Sequence, residues 1–319
     1  MTVTVARTPP LTDRPKPARR RSHRSSLVPW MFAVPAILFF VVFLIIPIGY
    51  SIYLSFRGFR VEGGGAFGRR VETWIGFDNY AAALTDPEFV AGLGRVLIYG
   101  VIAIPSVLGL ALLFALLLDT PRVRARSFSR TAIFIPYAVP GVIASLLWGF
   151  LYLPSTSPVN FIARELGAGP LDFFGYPALY FSLANIALWS GVGFNMIIIY
   201  TSLRAIPSEI YEAARIDGAN ELQIAWRIKV PLVSPALVLT GLFSVIGTLQ
   251  LYSEPATLRP MTTTISSTWV PLMKIYQEAF MNDNLGGAAA ASVVLAGGIL
   301  LFSLVLLRFF QRRTFGENS

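Results

Sequence analysis

The chain has 319 residues, of which 55% are hydrophobic and only 13% charged, with a net charge of +9, a mean hydropathy of +0.63 and no cysteine. A soluble fold could not hide that much apolar surface, since a soluble domain carries about twice this share of charge. Disulfides, cysteine-ligated zinc and thiol catalysis are excluded, and the basic residues flank apolar runs, a placement that speaks for membrane orientation and against nucleic acid.

In chain order, residues 1–26 scatter seven basic side chains among Pro, Ser and Thr and read as a disordered cytoplasmic tail. The apolar run that follows is too long for a cleavable leader and shows no small-residue cleavage site, so it reads as a signal anchor. Six stretches lack ionisable residues for long enough to cross a hydrocarbon core: 28–56, 96–118, 131–153, 178–203, 233–253 and 288–307. With the tail inside, 18 of the 26 Lys and Arg residues fall on the inner side. The positive-inside rule therefore puts both termini in the cytoplasm. Pro35, Pro47, Pro105, Pro136 and Pro140 mark kinks or span ends, so the spans should form a bent bundle.

The largest outer loop, 57–90, carries a flexible Gly63-Gly64-Gly65 run and the aromatic cluster WIGFDNY from Trp74 to Tyr80, which by itself reads as an interfacial belt or a small amphipathic helix. The fourth span holds Asn185, Ser190, Gly191, Phe194, Asn195 and Tyr200, and the fifth Thr240, Ser244, Gly247, Thr248, Gln250 and Tyr252. Ser244, Thr248 and Tyr252 recur at spacing four. Such neutral polar groups suit a hydroxyl-rich, uncharged ligand held by amides and stacked on a ring; the same stripe also serves as packing glue between helices.

Between these two spans lies a charged gap, EAARIDGANELQIAWRIKVP, from Glu212 to Pro231. Ser208 is a candidate N-cap, with Ile210, Ala213, Ala214 and Asp217 on one helical face. Gly218 should end that helix in the left-handed region, and Asn220 with Gln223 has the spacing of a capping box opening a second one. The expectation is two short helices with a forced bend, closed by Val230 and Pro231.

This gap resembles the EAA loop of permease subunits in ATP-binding-cassette importers: Glu212, Ala213, Ala214, Asp217, Gly218, Ala219, Ile228 and Pro231 stand in register, with Val230 where Leu is usual. Gly76, Asp78, Asn79 and Tyr80 resemble the signature after the first span of maltose- and glycerol-phosphate-type permeases. Ile135-Pro136-Tyr137 and Leu285-Gly286-Gly287-Ala288-Ala289 extend the likeness over almost the whole chain after the tail. It points to the first of the two permease partners. The segment from Tyr252 to Pro271 departs, lacking the family's Gly-Gly-Pro turn.

The resemblance implies an all-α integral membrane protein: six transmembrane helices with a cytoplasmic EAA coupling hairpin, the type I ABC importer permease fold. Its parts would be a tail over 1–26, a permease domain over 27–310 with its coupling loop at 204–232, and a C-terminal tail over 311–319. Glu212, Ala213, Ala214, Asp217, Gly218, Ala219 and Pro231 would couple to the ATPase. Sugar contacts in maltose-type permeases resemble Ser190, Gly191, Phe194, Gly247 and Gln250; Asn195, Ser244 and Thr248 join them as candidates by their position in the stripe.

The implied function is one transmembrane subunit of a bacterial importer for a sugar or polyol, in the inner membrane. Its partners would be a second permease, two ATPase subunits carrying ATP and Mg, and an extracytoplasmic solute-binding protein. The alternative is a membrane scaffold or signalling subunit that binds a cytoplasmic partner without moving solute.

No cofactor, metal or nucleic acid is expected in this chain. A Walker A loop is missing around Lys16, Lys229 and Lys274, the only histidine, His23, is in the tail, and no catalytic residue is assigned. The uncharged span cores disfavour a proton-coupled carrier and tilt towards a neutral sugar.

Overall fold

The long helices of this chain are decided by small residues at helical spacing. Along α4 (Pro87–Asp119), Gly100, Ala103, Val107, Ala111 and Ala115 recur every three or four positions and are all buried, most of them against α8 (Ala178–Arg204). Small side chains let two backbones approach where no hydrophobic force separates helix from lipid. Val192, Met196, Ile199 and Leu203 of α8 fill the seam towards one end, and Leu179, Leu183 and Ile186 towards the other.

The structure is a computed structural model and describes residues 27–62, 69–120 and 123–314. The expected basic tail, the Gly63-Gly64-Gly65 run and the last five residues lie outside the described residues.

The chain divides into two compact units between Gly49 and Tyr50. The first is helical: α1 (Leu27–Phe40) runs into a π turn, Val41–Ile45, and on into α2 (Ile46–Ser55). Pro47 stands two positions past that turn; widening the helix there accommodates its ring and its missing N–H. From Trp30 to Gly49 nearly every side chain is exposed.

The second unit begins in α2 and continues into a two-stranded antiparallel hairpin, β1 (Arg57–Glu62) and β2 (Arg69–Trp74), in register from Arg57 opposite Trp74 to Glu62 opposite Arg69. The segment expected as a loop is thus a ribbon, and the described residues form no other strand. The aromatic cluster closes its mouth. Phe56 stacks on Trp74 with centroids 5.1 Å apart and meets Phe77 edge-on. Gly76, at φ +63°, turns the chain into α3 (Asp78–Thr85), from which Asn79 donates to the carbonyls of Ser55 and Arg57. The signature residues therefore act as a latch in this structure.

Among the described residues, four helices are long and apolar enough to cross a membrane: 30–55, α4, α8 and 285–308 within α15 (Leu285–Thr314). Two bent pairs qualify together, giving up to six spans. In one, α5 (Arg126–Phe134) and the 3-10 turn Ile135–Ala138 meet α6 (Gly141–Tyr152) at 94°, with Pro136 and Pro140 at the break. In the other, the segment Glu221–Leu232 meets α12 (Ser234–Leu249) at 67°. The last helix continues to Thr314, beyond the expected start of the C-terminal tail at 311.

Gly193 of α8 seats the first of these corners. A Cβ there would collide with the backbone carbonyl of Ile133 and lie 2.7 Å from Cα of Phe134. Gly193→Ala should cost about 1–3 kcal/mol by overpacking, read as a lower unfolding temperature in detergent; an unchanged temperature would mean that the corner yields freely.

The atypical segment after the fifth span is core. Helix α13 (Ser253–Leu258) packs on α6, and Leu258, Ile265 and Trp269 are buried in the cluster that holds α4, α6 and α8. The sequence showed only that this segment departs from the family pattern. Buried apolar residues at irregular spacing carry no periodic signal that would have announced this. The remaining helices are α7 (Pro158–Glu165) and α14 (Pro271–Phe280), together with the coupling-loop helices described below.

Candidate functional site

All eight residues chosen from the sequence as solute contacts meet in one cavity of about 510 Å³ between α4, α8 and α12. From α8 come Ser190, Gly191, Phe194 and Asn195, and from α12 and its end Ser244, Gly247, Thr248 and Gln250. Phe194 is stacked on Tyr137 at 4.8 Å and 15°, so one wall offers an aromatic platform. Gly247 faces open space, so no side chain fills that point of the opposite wall.

The polar groups are ready for a ligand. Asn195 donates from Nδ2 to the Gly191 carbonyl at 2.9 Å, while its buried Oδ1 has no partner. Ser190 donates to the Ile186 carbonyl at 2.9 Å and keeps lone pairs free to accept. Among the described residues, the side chains of Ser244, Thr248 and Gln250 make no hydrogen bond. An unmet buried acceptor costs free energy unless water or a ligand hydroxyl satisfies it.

Other residues of the expected stripe are placed elsewhere. Asn185 donates to the Tyr152 hydroxyl at 2.9 Å, Thr240 bonds back to the Ala236 carbonyl, and Tyr200 lies under the Arg130 guanidinium. Tyr252 leaves the spacing-four row because α12 ends at Leu249, and its ring turns to Tyr276.

Ten further residues line it, among them Tyr99, Tyr137, Ser253 and Glu254. Glu254 stands in α13, one position past the fifth apolar run, so a search for charges inside the runs passes over it. Burial pushes its carboxyl above the ordinary range, and its own backbone amide partly offsets this. The cavity is therefore not free of ionisable groups, as the span cores had implied.

The coupling stretch folds as two helices about a bend. Helix α9 (Ser208–Ile216) starts at Ser208 with Pro207 in the cap position, so Ser208 is the first helical residue and not a side-chain cap. Its end is a complete Schellman motif: Ala219 N–H bonds to the Ala214 carbonyl, Gly218 N–H to that of Arg215, and Gly218 takes φ +83°. Asn220 and Gln223 then form the full capping box of α10 (Glu221–Ile224). A π turn, Ala225–Lys229, leads into α11 (Val230–Leu232), so Pro231 is helical and the 67° break falls at Val233.

Glu212, Ala213, Asp217, Gly218 and Pro231 are exposed, Ala214 and Ala219 half-buried. Asp217 is the C-cap of α9. Large apolar side chains are exposed beside them: Ile216 at 86%, Leu222 at 68% and Trp226 at 60%.

Behind this surface lies a buried ionic node. Lys229, 8% exposed, pairs with Asp119, 5% exposed, at the end of α4. Arg204 at the end of α8 stands 3.8 Å from the same carboxylate, and the Lys229 ammonium lies 4.9 Å over the Tyr211 ring of α9. Burial, and then the Asp119 charge, push the Tyr211 phenol up. Four elements are tied at one point.

Residues 80–316 match the family described as the binding-protein-dependent transport system inner membrane component. The chain belongs to that family. The sn-glycerol-3-phosphate transport system permease protein UgpA of Agrobacterium fabrum is 30% identical over 91% of this chain and 96% of its own length. The osmoprotective compounds uptake permease protein GgtC of Synechocystis is 30% identical over 88% and 97%, and the diacetylchitobiose uptake system permease protein NgcF of Streptomyces coelicolor 27% over 96% and 91%. Among solved structures, a bacterial ABC transporter involved in the import of the acidic polysaccharide alginate aligns with a TM-score of 0.76 at 22% identity, over 90% of this chain and 96% of that one.

Membership accounts for a multi-pass membrane protein of the ABC-transporter permease class with a role in solute transport. It does not distinguish among family members the residues that decide what is carried. In the cavity, Glu254 had no motif to announce it, and Tyr137 was quoted only as part of Ile135-Pro136-Tyr137.

Proposed function

We propose that this chain is one of the two transmembrane subunits of a bacterial ATP-binding-cassette importer for a sugar or polyol. In this reading six spans cross the inner membrane with both termini in the cytoplasm, 27–310 being the permease domain. A homologous permease completes the pathway, two ATPase subunits bind ATP and Mg, and an extracytoplasmic protein delivers the solute.

The observation that carries the reading is the convergence of seven polar or small residues and Phe194 from two spans on one cavity with an aromatic wall, as a hydroxyl-rich ligand requires. Relatives named for glycerol phosphate, diacetylchitobiose and alginate support a polyhydroxylated solute. The hairpin supplies the drive. Ile216, Leu222 and Trp226 would enter a groove of the ATPase, with Glu212 and Asp217 as charged contacts at its rim, since exposed apolar groups of this size mark a docking surface. ATPase closure would move the bend at Gly218 as a rigid lever, and the Asp119–Lys229 node would pass that movement to α4 and α8.

The chain purified from its own membrane in mild detergent should bring with it an ATPase, a second permease and a solute-binding protein, and the assembly in vesicles should hydrolyse ATP faster with the loaded binding protein. Recovery without an ATPase would withdraw the importer reading; recovery with an ATPase indifferent to the binding protein would favour a scaffold.

A further inference from the structure

We propose that Glu254 sets the charge selectivity of the cavity, so that the solute carried is a hydroxyl-rich compound that is neutral or bears an amine, and anionic solutes are turned away. This rests on reading the cavity as the solute site. Among the described residues that line it, Glu254 is the one acidic side chain, and Lys, Arg and His are missing from its walls. No basic side chain among the described residues lies within ion-pair distance of Glu254. The chain thus places an acid in a confined polar space without the cation that usually accompanies one, and an ionisable group in such a setting is costly to keep unless it is used.

The surroundings determine what that acid prefers. Its carboxylate oxygen lies 4.0 Å from where a Cβ on Gly141 would stand, at the first turn of the twelve-residue helix α6. The positive end of that helix favours the ionised form, and burial opposes it. An incoming ammonium group would tip the balance to the carboxylate and be held by it, while a hydroxyl could donate to it. A phosphate or uronate would meet a like charge and find no cation on the walls that this chain contributes. This separates the chain from relatives whose names specify glycerol phosphate or an acidic polysaccharide.

The absence of cysteine gives a direct test. Ser244→Cys puts one thiol in this subunit on the cavity wall by a near-isosteric change. The assembled transporter in vesicles is treated with a cationic methanethiosulfonate, the trimethylammonium-ethyl reagent, and with its anionic sulfonato-ethyl counterpart. Each rate is divided by that of a free thiol, and labelling is followed by the mass of this subunit.

The cationic reagent should be favoured, and Glu254→Gln should cut that preference about tenfold, with Glu254→Asp restoring much of it. A preference that Glu254→Gln leaves unchanged, or an anionic preference in the parent, overturns the proposal while leaving the cavity as a pathway. Failure of both reagents to reach the thiol overturns the pathway reading, and the proposal with it.

Discussion

Lys229→Met in the assembled transporter should lower stability by about 3–5 kcal/mol, towards the lower end because Arg204 remains 3.8 Å from the abandoned carboxylate. The physical reason is desolvation. Asp119 is 5% exposed, and with its ammonium partner gone it must stay charged in a poorly solvated place, take up a proton, or pull the end of α4 open. Replacing both partners together, Asp119→Leu with Lys229→Met, should recover most of the loss, since a buried pair is worth little against apolar groups of similar volume. Thermal unfolding in detergent measures both. If the single variant unfolds with the parent protein, the node is not an obligate pair.

The double variant asks a second question. A stable protein that hydrolyses ATP but moves less solute per ATP would identify the node as a transmitter as well as a brace.

Gly218→Asp should abolish transport while leaving the protein folded in the membrane. A Cβ at this position meets nothing within 4 Å, so no steric clash prevents the turn. An L-residue at φ +83° pays roughly 1–2 kcal/mol, too little to unfold the chain. The damage is at the interface: a new charge would sit at the tip of the hairpin, beside the apolar side chains proposed to enter the ATPase. Gly218→Asn, which tolerates the left-handed region and adds no charge, should retain most of the activity. Normal uptake by the Asp variant would remove the lever from the proposed mechanism.

The hairpin was legible because its signals are local. Gly218, Asn220 and Gln223 dictate their own backbone geometry through hydrogen bonds that span no more than five residues, and local chemistry can be read from a linear sequence. Seven of the eight cavity residues stood out for a different reason: each is small or polar in an otherwise apolar helix, whereas Phe194 entered through the resemblance to maltose-type permeases.

What was not legible depends on where the chain goes after leaving a helix. Glu254 reaches the cavity only because α12 stops at Leu249 and α13 turns back onto α6. Asp119 and Lys229, 110 positions apart, each read as an ordinary basic or acidic flank of a span until the fold brought them together. The outer ribbon escaped notice because its alternation of Arg, Val and Phe is short and the glycines between its strands pointed to a flexible loop.

The bend at Gly218 satisfies its own hydrogen bonds from both sides, with the Schellman pair before it and the capping box after it. Such a corner is stiff, and stiffness in one place decides where a loaded chain gives. Between Lys229 and Pro235 two prolines lack donors, the helix has just widened into a π turn, and Val233 leaves helical geometry altogether. A force applied at the tip would therefore be carried unbent through the corner and taken up at Val233, close under the cavity-bearing helix. The fold separates the strut from the flexure by about fifteen residues, and flexure at that point changes the tilt of α12, on which Ser244 and Thr248 ride.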